Sequence, residues 1–89
     1  MKKKSVYDFL SEFLISNNVK ILSFNYYKKI FVNIVLLIEY NNIRYEFITD
    51  RGEIFMNKKL ICNNSYMKKG KNSTVDKLIQ ILQDNVLRA

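Results

Sequence analysis

The chain has 89 residues, 15 Lys+Arg against 8 Asp+Glu, and no histidine, tryptophan or proline. That length is one domain, residues 1–89, and 48% hydrophobic with 13% aromatic residues supplies a core, so the formal charge of +7 does not imply a disordered chain. Without histidine the usual general base and most metal chemistry are gone, and Cys62, the single cysteine, has no second thiol for a disulfide and no partner for zinc.

Residues 1–4 form a basic tail, Lys2, Lys3 and Lys4, that looks like the start of a signal peptide, but Asp8, Ser11 and Glu12 interrupt any apolar run behind it. The longest apolar stretch, Ile30 to Ile38, is broken by Asn33 and falls short of the roughly 20 residues of a spanning helix. No membrane segment is expected. Ser5 followed by Asp8 reads as a helix N-cap with an acid in the first turn. Val6, Phe9, Leu10, Phe13 and Leu14 then recur at helical spacing, and Asn17-Asn18 is a stop that tolerates the left-handed conformation.

From Val19 to Tyr27 the residues are β-branched and aromatic, and Ile21-Leu22 disturbs the alternation in a way that predicts a bulge. Lys28-Lys29 predicts a turn. Asn41-Asn42 can supply both left-handed residues of a type I′ turn. A two-residue loop there pairs Tyr40 with Ile43, Glu39 with Arg44, Ile38 with Tyr45 and Leu36 with Phe47, so apolar meets apolar and acid meets base. Asp50-Arg51-Gly52-Glu53 predicts another turn, with a short returning strand from Ile54 to Met56. Residues 57–72 read as a lysine-rich connection, after which Ser73 and Asp76 repeat the cap of the first helix and Val75, Leu78, Ile79, Leu82 and Val86 form an apolar stripe. The expected fold is α+β: a helix, a three- to four-stranded antiparallel sheet and a helix, with both helices on one sheet face. Its core should contain Phe9, Phe13, Leu36, Ile38, Phe47, Leu78 and Leu82.

Two candidate surfaces follow. Lys58, Lys59, Lys68, Lys69 and Lys71 occur without an intervening acid and lead into a helix N-terminus, a combination suited to phosphate oxygens. The competing explanation is a solvated loop set by coding composition, because Lys, Asn, Ile, Tyr and Phe are all written with AT-rich codons. The second surface is the sheet face opposite the helices, where Phe31, Val35, Leu37 and Ile48 lie among Asn33, Glu39, Arg44 and Glu46; such a patch fits a partner or a homodimer unless residues 57–72 fold across it. Gly70-Lys71-Asn72-Ser73 lacks the upstream glycine and parallel sheet of a P-loop. Asp50 and Glu53 read as turn acids and Cys62 as a buried, inert thiol. No catalytic, cofactor or metal site and no small-molecule substrate is expected.

The helix–strands–helix order and the loop Lys68-Lys69-Gly70-Lys71 before the last helix resemble the double-stranded-RNA-binding domain. That resemblance implies recognition of A-form shape through phosphate and 2′-OH contacts. The chain departs from the family in having Tyr27-Lys28-Lys29 in place of a Gly-Pro-His loop, and Ser73-Thr74-Val75-Asp76-Lys77 in place of a basic, alanine-rich helix start. The lack of histidine separates it from the small histidine-dependent RNases of toxin–antitoxin systems. In length, AT-biased composition and poverty of catalytic residues it also resembles small proteins of Gram-positive phages and mobile elements, anti-CRISPR inhibitors among them. This implies a non-enzymatic cytoplasmic protein in a bacterial host that occupies RNA, DNA or a host ribonucleoprotein such as a CRISPR effector. A protein–protein module of the immunity or antitoxin kind, using the second sheet face, is the other reading.

Overall fold

The computed structural model describes residues 5–27, 33–62 and 73–88. Helix α1 (Val6–Ser16) starts at Ser5 with the expected cap: the Asp8 N–H donates to Ser5 Oγ at 3.1 Å and the Ser5 N–H donates to the Asp8 carboxylate at 3.2 Å. It ends as its asparagines predict. Asn18 takes φ 61°, which lets its own N–H reach the Ile15 carbonyl and the Val19 N–H reach the Leu14 carbonyl at 2.9 Å. Leu14 and Val19, the apolar pair that closes such a motif, are both buried.

Five strands follow: β1 (Lys20–Tyr27), β2 (Asn33–Tyr40), β3 (Ile43–Asp50), β4 (Glu53–Met56) and β5 (Lys59–Cys62). They form one antiparallel sheet in sequence order. The register of β1 on β2 shifts between Ile21 and Ser23, the bulge that Ile21-Leu22 predicts. The β2–β3 register matches expectation at all four pairs, and Asn41 and Asn42 both adopt positive φ, 53° and 65°.

The three- to four-stranded expectation is corrected to five. Asn57 and Lys58 take φ 50° and 71°, so the chain reverses at once in place of the expected connection, and Lys59–Cys62 pairs with β4. Lysine is an unfavourable residue in this conformation, which is why the turn does not announce itself.

Helix α2 (Ser73–Leu82) continues into a π-helical turn over Gln83–Leu87, in which the Arg88 N–H bonds the Gln83 carbonyl five residues back. Val75, Leu78, Leu82 and Val86 are buried, and they join Leu10 and Leu14 of α1 and Ile34, Leu36, Ile38, Phe47 and Ile54 of the sheet in one core. Strand side chains alternate between faces, so both helices cover the same side of the sheet. The shortest extent, 20 Å, is that of one sheet and one helix layer.

Helix α1 is rotated by roughly a quarter of a turn from the expected orientation. Ser11 is buried with its hydroxyl donated to the Asp8 carbonyl at 3.2 Å, and Tyr7 meets Phe24 edge-on at 5.1 Å. The small Ser11 lets the helix approach β1 on that side. Phe9, expected in the core, is therefore 42% exposed, and Phe13 is only half-buried.

Candidate functional site

The chain's charge is unevenly distributed along the sequence. All eight acids lie among the described residues, with seven of the cations; the other eight cations, all lysines, fall at 2–4, 28–29, 68–69 and 71. Lys68, Lys69 and Lys71 of the expected phosphate site lie outside the described residues, as does Phe31 of the expected partner surface. Lys58 and Lys59 are described and exposed, at the β4–β5 turn.

Tyr27, Asn33 and Cys62, which border residues 28–32 and 63–72, lie at one end of the sheet. Tyr27 pairs with Asn33, Asp50 pairs with Glu53, and Cys62 pairs with Ile54 one residue further along. Side chains fasten this end. Thr49, 1% exposed, accepts the Ile34 N–H on Oγ1 at 2.7 Å, and Asn33 Oδ1 accepts the Arg51 N–H at 3.4 Å. Helix α1 runs back along β1, as the Leu14–Val19 and Tyr7–Phe24 contacts require, so Ser5 points toward the same end. Lys58 and Lys59 lie at the opposite end, at the turn that joins β4 to β5.

Sequence reasoning passes over Lys77. Its ammonium nitrogen is buried with no hydrogen-bond partner among the described residues. A lysine four positions before the half-buried Ile81 lies on one flank of the α2 stripe, which is the signal that could have found it.

The second surface is larger than the sequence suggests. Val35, Leu37 and Ile48 sit half-buried on the sheet face away from the helices. The register adds Phe55 opposite Ile48 and Leu60 opposite Phe55, the latter 50% exposed. Glu39, Glu46, Asp50 and Glu53 share this face, four of the chain's eight acids. Glu39 pairs with Arg44 at 3.4 Å, an exposed contact of small energetic weight. Glu46 is held by Asn57, whose N–H donates to its carbonyl at 2.8 Å and whose Oδ1 accepts its N–H at 2.9 Å. No group of three or more His, Cys, Asp or Glu residues comes together as a metal site among the described residues. Cys62 is half-buried at the end of β5. No described helix is long and apolar enough to cross a membrane.

No protein-family model matches the chain, and no curated protein or solved structure matches it either.

Proposed function

We propose that this chain is a non-enzymatic binding protein of the bacterial cytoplasm that inhibits by occupying a nucleic-acid or ribonucleoprotein surface, such as that of a CRISPR effector, in the manner of small phage and mobile-element proteins. The observation that carries the reading is the segregation of charge. Along the sequence, eight lysines and no acid occur within 1–4, 28–32 and 63–72, whereas all eight acids lie in the stretches between and after them. Coding composition alone would scatter lysines along the whole sequence. Concentrated lysines give a field that attracts phosphates. The buried Lys77 ammonium, without a partner among the described residues, adds support, since such a group costs free energy until an anion completes it.

The test is fluorescence anisotropy with an RNA duplex and a DNA duplex over a series of salt concentrations. Binding should weaken steeply with salt, and changing Lys68, Lys69 and Lys71 together to Gln should lower affinity and flatten the slope by up to about 0.9 for each phosphate no longer neutralised. Changing Lys2, Lys3 and Lys4 should matter less. A triple variant that binds like the wild type at low and high salt would make the lysines mere surface. The second reading, a protein–protein module or homodimer, is favoured by the apolar face of Val35, Leu37 and Ile48.

A further inference from the structure

The outer sheet face has an arrangement that its apolar content alone does not convey. Across the strands, Val35, Ile48, Phe55 and Leu60 stand side by side, one from each of β2 to β5. With strands about 4.8 Å apart, the four make an apolar band roughly 14 Å long running across the sheet. Two residues along the strands on one side, about 7 Å away, lies Glu46, next to Leu37. At the same distance on the other side lie the cross-strand neighbours Asp50 and Glu53. Glu46 and Glu53 have no ion-pair partner among the described residues, although both are half-buried.

We infer that this face docks a cationic amphipathic helix of a protein partner. A band of about 14 Å takes the apolar stripe of a helix of roughly ten residues. The carboxylates flank the band on both sides, where the lysines or arginines bordering such a stripe would fall. Partially desolvated carboxylates gain most from a cation brought to them. The same carboxylates repel a phosphate backbone, so charge complementarity selects protein over nucleic acid on this face. The inference does not rest on Lys68, Lys69 and Lys71, so failure of the nucleic-acid reading leaves it standing.

The experiment uses the full chain, labelled with nitrogen-15, titrated at physiological salt with a helical peptide of leucine and lysine about 14 residues long, its leucines on one stripe. Amide shifts should change mainly at Val35, Glu46, Ile48, Glu53 and Phe55. A peptide with glutamate in place of lysine should bind roughly tenfold more weakly or not at all, and the double variant Glu46→Lys, Glu53→Lys should lose affinity for the lysine peptide by a similar factor. The inference is overturned if the shifts map elsewhere on the wild-type chain, or if the two peptides bind alike. It is equally overturned if sedimentation finds a wild-type dimer whose outer-face amides are already protected, because a second copy then fills the site.

Discussion

Thr49 and Asn57 are polar side chains that stand in for backbone. Near the start of β2 the Ile34 N–H donates to Thr49 Oγ1 at 2.7 Å rather than to a strand carbonyl, in a place from which water is excluded. Thr49→Val keeps the shape and removes the acceptor, leaving a buried N–H unsatisfied. It should cost about 1–3 kcal/mol, read as a lower urea midpoint with an unchanged denaturant slope, whereas Thr49→Ser should recover part of that stability. A valine variant as stable as the wild type would mean that the Ile34 N–H finds another acceptor. The partnership is invisible in the sequence, because nothing in Thr49 distinguishes a pleat-filling β-branched residue from one that closes a strand end.

Strands β2 to β5 are joined by three two-residue turns, each with two left-handed residues: Asn41-Asn42, Arg51-Gly52 and Asn57-Lys58. Their legibility follows their chemistry. Two asparagines between strands whose partners match in size and charge leave only one sensible register. Arg51-Gly52 is half legible, through its glycine. Asn57-Lys58 reads as part of a lysine-rich connection because lysine has no special tolerance for positive φ, and β5, four residues long, gives too short a pattern to argue back. Missing β5 also hides Phe55 and Leu60 as outer-face neighbours, so the candidate surface reads too small. Lys58→Gly removes the Cβ clash at φ 71° and makes the pair Asn-Gly, the most favoured type I′ turn. It should stabilise the protein by about 1 kcal/mol, the cost of holding an L-residue left-handed, seen as a higher melting temperature. A drop in stability would show that the Lys58 side chain contributes more than its backbone costs.

At the scale of the whole molecule, two helices and one sheet can enclose only one side. Among the described residues both helices pack on one face and no element is set over the other. Leu36 is fully buried beneath the helices, while its neighbour Leu37 lies half-buried on the outer face beside Glu46. That assignment of faces is legible because the hairpin register sets Ile38 opposite Tyr45 and Leu36 opposite Phe47 on one face and Glu39 opposite Arg44 on the other, and a one-residue error would exchange every side chain. The same two leucines measure whether the outer face is open in solution. Leu36→Ala removes core volume from a packed interior and should cost on the order of 2–5 kcal/mol. Leu37→Ala removes the same atoms from a side chain that water already reaches and should cost about 1 kcal/mol or less. Chemical denaturation of the dilute chain gives both values. Equal costs would mean that something covers Leu37 as fully as the helices cover Leu36; a wide gap between them leaves the band of Val35, Ile48, Phe55 and Leu60 accessible to a partner, with Glu46 and Glu53 beside it and without an ion-pair partner among the described residues.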